Sequence, residues 1–429
     1  MRTIVLMWLC WAIILIGFQA FASGRLQPER PDNALFWTAT ETIEGSQDGK
    51  VYLNEPFLNN HVAWDSEYYL SIATVGYQDP AVNSVQMTSA QAIEIRPGVS
   101  IPLVSEVGEE LALNFAFLPF YPVMIRLLSF PLRILGLNPI ATGTLAGLII
   151  SLLGTLAAML ALYDLTKDEL GPAGGYRTAF YLIVFPTGMF LAQVYTEGLF
   201  VGLAFGALAL MKREKWGWAA VLAVFATWTR AVGVALIIPM IWPWLQNGDW
   251  MELDLEWREL YFKGIPWRSI GKALLHISPL IAFLIWRSSF YGVAFRVVEE
   301  LFFGRGAFQF GTSFFGWINA FQDMISGENS QRSTYYAIEF GAIVLGIWAC
   351  LATRKRMPGL SYYGLAAILL ALTSGPPQGM HRYILAAPSV FIFLSQWGEN
   401  EWFDRACSVL SILLMGLLAM LFTYNFWVG

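Results

Sequence analysis

Charge is the scarce commodity in this sequence. Asp, Glu, Lys and Arg together make up 13% of its 429 residues, about half the share of an ordinary soluble domain. So few charges cannot clothe a soluble surface, which excludes a soluble enzyme and a disordered chain. Basic excess is missing too: 26 Lys and Arg against 31 Asp and Glu give a net charge of −5. Without a basic face, nucleic-acid binding is excluded. Cysteine is rare: Cys10, Cys350 and Cys407 each lie in or beside an apolar stretch. They form no CxxC pair, so neither zinc nor a structural disulfide is implied, and they read as small apolar packing residues. Walker A, GxSxG, HExxH and GxGxxG motifs are all missing, so soluble nucleotide chemistry has no support. No repeat of solenoid length and no low-complexity tract occurs.

What fills the chain is apolar. Hydrophobic residues reach 56% and aromatics 15%, with 18 Trp and 17 Tyr, a supply suited to interfacial belts at both bilayer surfaces. The first apolar run, Ile4 to Phe18, follows Arg2. Ala20-Phe21-Ala22 resembles a signal cleavage site. The run with its flanks is long enough to cross the hydrocarbon core, and an uncleaved first helix is the preferred reading. Residues 24–112 then form a polar segment with thirteen Asp or Glu against four Lys or Arg. A short basic N-terminus before a long acidic loop puts the N-terminus in the cytoplasm and the loop on the other face.

Apolar segments follow at about 115–137, 139–163, 176–193, 196–211, 216–230, 231–246, 271–291, 335–353, 359–374, 383–397 and 405–427. Basic clusters at Lys212-Arg213-Glu214-Lys215 and Arg354-Lys355-Arg356, with Arg258, Lys263 and Arg268 in loop 247–270, mark cytoplasmic loops. Parity then allows only one of 115–137 and 139–163 to cross completely. Pro119, Pro122, Pro131, Arg126 and Arg133 make 115–137 the interfacial, re-entrant or half-length one. The expectation is an all-α polytopic membrane protein of 11 spans, with 12 or 13 as alternatives. It forms a single domain over 1–429, and its first extracytoplasmic loop, 24–112, carries juxtamembrane helices.

Five places carry ionisable or aromatic groups against this apolar background. In Trp64-Asp65-Ser66-Glu67-Tyr68-Tyr69, read as a helix, Asp65 shares a face with Tyr68, Tyr69 and Ile72. The aromatics would seat that helix at the interface, where a carboxylate suits a general base acting on a lipid-borne substrate. The alternative is a juxtamembrane helix with solvated acids, especially for Glu67. Asn114 to Pro122, with Tyr121, reads either as an interface anchor or as part of a substrate groove. Tyr195-Thr196-Glu197 sets an acid in an apolar frame, a costly placement and so a functional candidate. Arg230 in Thr229-Arg230-Ala231 and Arg382 in His381-Arg382-Tyr383 are permanent cations whose planar forks match phosphate oxygens. Snorkelling to headgroups is the competing reading for Arg230. His381 is either a donor or proton shuttle, or structural.

At these motifs the chain resembles the GT-C superfamily of polytopic glycosyltransferases, and within it the PIG-V-like branch and its bacterial relatives. Three motifs carry the resemblance: Trp64-Asp65 leading to Gly76-Tyr77; Phe115 to Pro122 followed by Arg126; and Tyr195-Thr196-Glu197-Gly198-Leu199-Phe200. Thr229-Arg230 and Arg382-Tyr383 before Pro388 add to it, so order and spacing hold over about 60–390. The resemblance implies a GT-C-like bundle and a polyprenyl- or dolichyl-phosphate sugar donor, typically mannose, used on the extracytoplasmic face. The expected acceptor is a lipid, a lipid-linked molecule or a glycan. It puts the family's first-loop aspartate on Asp65. Two departures stand out: Leu118 replaces an aromatic, and the stretch 78–113 is longer than the pattern, an expected lid or acceptor-specific element. The expected reaction is an inverting transfer with Asp65 as base. Arg230 and Arg382 would meet the phosphate leaving group, and Glu197 and Tyr195 would orient the sugar or hold an arginine. Trp64, Glu67, Tyr69, Tyr121, His381 and Tyr383 complete the expected substrate contacts. No metal or cofactor is expected. The expected location is a plasma membrane, as a multi-pass protein. A lipid or solute transporter is the rival from another class; an acid in an extramembrane loop and the lack of an inverted repeat favour the enzyme.

Overall fold

The computed structural model describes residues 1–86, 92–96, 99–102, 110–246, 267–306 and 308–429. Arg258 and Lys263 of the basic loop, and much of the 78–113 stretch, lie outside the described residues. The chain is helical almost throughout. α1 (Arg2–Arg25) is followed by a loop whose main helix is α2 (Ser66–Thr74). After it come α3 (Phe120–Leu132), α4 (Pro139–Val184), α5 (Thr196–Lys212), α6 (Trp216–Thr229) and α7 (Ile237–Gln246). Next are α8 (Trp267–His276), α9 (Ser278–Ser288), α10 (Phe290–Val298) and α11 (Phe310–Ser326). The chain closes with α12 (Ser330–Thr353), α13 (Pro358–Leu372), α14 (Pro388–Trp397) and α15 (Glu401–Thr423). Two small antiparallel ribbons lie in the long loop. β1 (Ser84–Gln86) pairs with β4 (Glu110–Ala112), Val85 opposite Leu111, and β2 (Ala92–Arg96) pairs with β3 (Val99–Pro102).

Helices α1, α4, α12 and α15 are each long and apolar enough to cross a membrane. Their outward faces are bare hydrocarbon, as at Ile13, Ile14, Val344 and Leu413, the surface lipid would cover. Two bent pairs, Pro186–Ala192 with α5 and Ile270–His276 with α9, raise the number of candidate spans among the described residues to six. Several apolar segments, among them those carrying Pro186 and Pro388, are broken by turns. The 176–193 segment ends in a 3₁₀ stretch at Pro186–Ala192, 231–246 begins in one at Ala231–Leu236, and 383–397 starts with a short turn before Pro388. The breaks fall at Pro186 and Pro388, where the ring removes a backbone donor, and at Arg230, held extended at φ −147. Such breaks are tolerated where other helices bury the backbone, and residues 187–192 and 384–387 are all buried. Helix α3 spans 13 residues, about 20 Å by the helical rise, short of the roughly 30 Å hydrocarbon core. Its exposed Val123, Leu127 and Phe130 suit a helix lying at the interface.

Helix α4 is a hairpin. Gly171 has φ 69, a left-handed conformation that interrupts it ahead of Pro172. The rings of Tyr163 and Tyr176 stack 4.8 Å apart across the break; along a straight helix these residues would be about 20 Å apart. The returning arm leads to α5, which lies tightly on the outgoing arm. A Cβ on Gly154 would collide with the Gly198 carbonyl, and one on Gly202 would meet Gly154. At the far end of α5, Lys212 lies 2.7 Å from Asp168 and Arg213 2.7 Å from Asp164. The loops around 164–175 and 212–215 therefore share one end of the bundle, as parity requires.

Candidate active site

The opposite end of α5 gathers the scarce charges. Glu197 sits in the first turn of α5, where the helix dipole favours a carboxylate. Arg230 follows the last turn of α6, where the dipole favours a cation. Arg382 lies in the short turn Met380–Tyr383, which Gly379 opens with φ 76. Asp65 begins α2, and Trp64 before it is held at φ 48. That left-handed conformation is costly for a tryptophan. Trp64 is kept there by its indole N–H, which donates to the Phe426 carbonyl at 3.1 Å, and by edge-to-face contacts with Trp37 and Trp427.

These elements bring four charges together. Arg382 Nη1 donates to Asp65 Oδ2 at 3.2 Å, and Arg382 Nε lies 3.2 Å from Glu197 Oε1. Arg230 pairs with the same Glu197 oxygen and donates to Thr196 Oγ1 at 3.2 Å. Glu197 is 3% exposed by side chain, Arg382 8%, Arg230 14% and Asp65 21%, so Asp65 is the member open to a ligand. The Asp65 backbone N–H donates to the Tyr195 hydroxyl at 3.2 Å, which fixes the start of α2 against α5. Tyr383 is the hub: the guanidinium carbons of Arg230, Arg382 and Arg305 lie 4.8, 5.4 and 5.8 Å from its ring centre, each within cation–π reach.

The remaining expected residues divide into supports and outliers. Tyr69 packs edge-on against Tyr121 and Tyr195, at 5.3 and 6.2 Å. Tyr121 is fully buried beneath them, its hydroxyl donating to the Gly147 carbonyl at 3.0 Å. Tyr121 is thus a support, not a surface a substrate reaches. Arg126 of the same motif closes α2 by donating to the carbonyls of Ala73 and Ile72 at 2.7 and 3.0 Å. Glu67 is buried on the other side of α2, where the nearest charges are Lys50, Glu41 and Asp79. Burial pushes its carboxyl up to about 7. His381 also turns away from the cluster. Its Nδ1 is 3.0 Å from Glu339 Oε1 and its Nε2 is 2.5 Å from the Val428 carbonyl. Glu339 further accepts the Gly379 and His381 backbone N–H groups at 2.6 and 3.0 Å, so this pair holds the turn that presents Arg382.

Three residues escaped the sequence reading. Glu339 lies inside an apolar run, the same costly placement that flagged Glu197. Arg305 and Glu299 lie in the stretch 292–306, where Arg296 and Glu300 share the same apolar neighbours and no one charge stands out. The Arg305 N–H donates to the Glu299 carbonyl at 2.9 Å. Burial, reinforced by Asp65 and opposed by Arg305, lifts the Glu299 carboxyl to about 7. Among the described residues no three of His, Cys, Asp and Glu gather as a metal site would require.

A multi-pass helical membrane protein with acids and arginines converging at one end of its bundle is the class this architecture defines. Residues 99–247 match the profile of the mannosyltransferase (PIG-V) family. The matched region holds Tyr121, Tyr195, Glu197 and Arg230, whereas Asp65, Arg305 and Arg382 come from either side of it. No curated protein matches the chain. Among the solved structures that resemble it weakly are two of Archaeoglobus fulgidus oligosaccharyltransferase. One, a crystal structure with zinc and sulfate, is 16% identical, with a TM-score of 0.37, over 75% of this chain and 46% of that one. The other, AglB with an inhibitory peptide and a dolichol-phosphate, is 13% identical, with a TM-score of 0.40, over 98% and 56%. The chain spans about half the length of these proteins.

Proposed function

We propose that the protein transfers a hexose, mannose by the family that residues 99–247 match, from a polyprenyl-phosphate donor to a hydroxyl of a lipid-linked or glycan acceptor. Transfer inverts the anomeric carbon, and Asp65 is the base. The acceptor O–H proton passes to the Asp65 carboxylate as the oxygen bonds to the anomeric carbon. The bond from that carbon to the phosphate oxygen breaks, and its electron pair stays on the phosphate. The leaving phosphate therefore gains a negative charge, which the arginines meet as it develops. One observation carries this reading: Asp65, the most open member of the charged cluster, is 3.2 Å from an arginine that also pairs with Glu197.

The geometry supports a sequence of events. In the cluster Arg382 is shared between two carboxylates. A donor phosphate competes for that guanidinium and loosens its hold on Asp65, which becomes a stronger base only once the donor is bound. The cluster lies at the opposite end of α5 from Lys212 and Arg213. With basic residues marking the cytoplasmic side, catalysis is assigned to the extracytoplasmic face of a plasma membrane.

The test is sugar transfer from polyprenyl-phosphate mannose by the purified protein in detergent. Asp65→Asn keeps the shape and removes the base, and is expected to lower kcat by about 10²- to 10⁴-fold. Wild-type turnover by this variant would reject Asp65 as base. Failure of the wild-type protein to release sugar from this lipid would reject the donor class.

A further inference from the structure

Arg230 and Arg382 are both paired with carboxylates; Arg305 is not. Among the described residues it forms no ion pair. It is half-buried, and its guanidinium is held by two long neutral contacts, Nη1 to Ser374 Oγ at 3.4 Å and Nη2 to the Gln378 carbonyl at 3.3 Å. It rests beside the ring of Tyr383, together with the two paired arginines. A guanidinium taken partly out of water without a direct ion pair is costly, and Glu299 and Asp65 act on it only from beyond ion-pair distance. Long contacts to neutral oxygens also leave most of its five N–H donors unused.

The fold builds this placement. A π-helical turn, Glu299–Phe303, ends at Gly304 in the left-handed conformation, which turns the chain back toward Tyr383. The Gly375–Gly379 turn then clamps the segment. The Gly306 N–H donates to the Ser374 carbonyl at 2.8 Å, and the Gly375 N–H donates to Ser313 Oγ at 3.0 Å. A Cβ on Gly375, which has φ 136, would lie 2.6 Å from the Gly304 carbonyl oxygen, so the close approach that seats Arg305 needs glycine there.

We infer that Arg305 supplies the free guanidinium that first captures the phosphate of the lipid donor, while Arg230 and Arg382 are engaged afterwards by displacement of their carboxylates. This rests on the proposed lipid-phosphate donor and assigns its phosphate subsite to a residue outside the matched family region. A singly charged phosphodiester meets one cation free of a direct ion pair at the start. The doubly charged product meets three, once Asp65 and Glu197 give way.

The test is binding of farnesyl phosphate, farnesol and inorganic phosphate to the protein in detergent, by competition against polyprenyl-phosphate mannose. Farnesyl phosphate is expected to compete, and farnesol and inorganic phosphate at equal concentration are not. Arg305→Ala should weaken farnesyl phosphate by about 10- to 100-fold, the range of a lost charge-assisted contact. Arg305→Lys should give an intermediate loss because it keeps the charge without the fork. Gly375→Ala, which pushes the Arg305 segment away and leaves its side chain intact, should weaken it too. Thermal unfolding of each variant identifies any that fail to fold. Wild-type affinity in a folded Arg305→Ala would overturn the assignment and leave the donor reading standing. Farnesyl phosphate failing to compete with the wild-type protein would overturn both. Equal competition by inorganic phosphate would overturn the lipid source of the ligand.

Discussion

Two buried charge clusters stand back to back across one short turn. On one side Arg382 joins Asp65, Glu197 and Arg230; on the other His381 joins Glu339 and the Val428 carbonyl. The two residues are neighbours in sequence, yet their surroundings differ in kind. Both Glu339 oxygens are engaged, by His381 and by two backbone N–H groups, and its side chain is 0% exposed. In the Arg382 cluster one guanidinium is shared between two acids, Glu197 Oε2 has no hydrogen-bond partner among the described residues, and Asp65 is open. Burial and charge are common to both. His381 Nδ1 also lacks a hydrogen-bond partner among the described residues, so what separates the candidate site from the staple is the opening at Asp65 beside the shared guanidinium, which leaves room for a ligand's charge.

The comparison breaks most directly at Asp65. If the open cluster is the site, Asp65→Asn abolishes most transfer, by the 10²- to 10⁴-fold above, while thermal unfolding stays near wild type. Glu339→Ala should do the reverse. Removing one partner of a fully buried pair costs about 3–5 kcal/mol, read as a lowered unfolding midpoint in detergent. Loss of activity without loss of stability in Glu339→Ala would place that cluster in the chemistry. Glu197→Gln tests the sharing itself: two guanidiniums lose their anchor, and kcat/KM should fall about 10-fold, equivalent to roughly 1.4 kcal/mol. An unchanged kcat/KM would mean that Glu197 does not position the arginines.

Much of this site was legible because charge is so scarce. Tyr195, Glu197, Arg230 and Arg382 stood out against apolar frames, and the structure brings all four together with Asp65. The same rule would have marked Glu339 inside the 335–353 run. Arg305 and Glu299 were not legible, because Arg296 and Glu300 stand beside them among the same apolar neighbours and no one charge is singled out; only the fold brings Arg305 to Tyr383. The helices were legible as apolar segments but not as crossings. The reversal of α4 at Gly171 falls in the polar stretch 164–175 between two apolar segments, but hydropathy does not show that 176–193 and 383–397 bend into 3₁₀ turns, since the buried turns are as apolar as the helices. His381 and Tyr121 show the opposite limit. Their residue types suited substrate contact, but packing turned one onto Glu339 and buried the other under Tyr69.

Glu67 sharpens the contrast from a third position, being buried like Glu339 but without an ion pair among the described residues. Its carboxyl is raised to about 7 by burial, from the usual value of 4.5 that it regains on unfolding. Between those two values the folded state holds a proton that the unfolded state releases, so stability falls as pH rises through this window. Below about 4.5 both states are protonated and the group costs nothing; above about 7 the folded protein carries a buried, unpaired carboxylate and the full penalty. Glu67→Gln removes the titration. Its unfolding midpoint should match the wild type near pH 4.5 and exceed it at pH 8, by the equivalent of about 1–3 kcal/mol, with little change in kcat. An equal midpoint at both pH values would mean that Glu67 is solvated or paired. Lost transfer in a stable Glu67→Gln would mean that the far side of α2 also faces substrate.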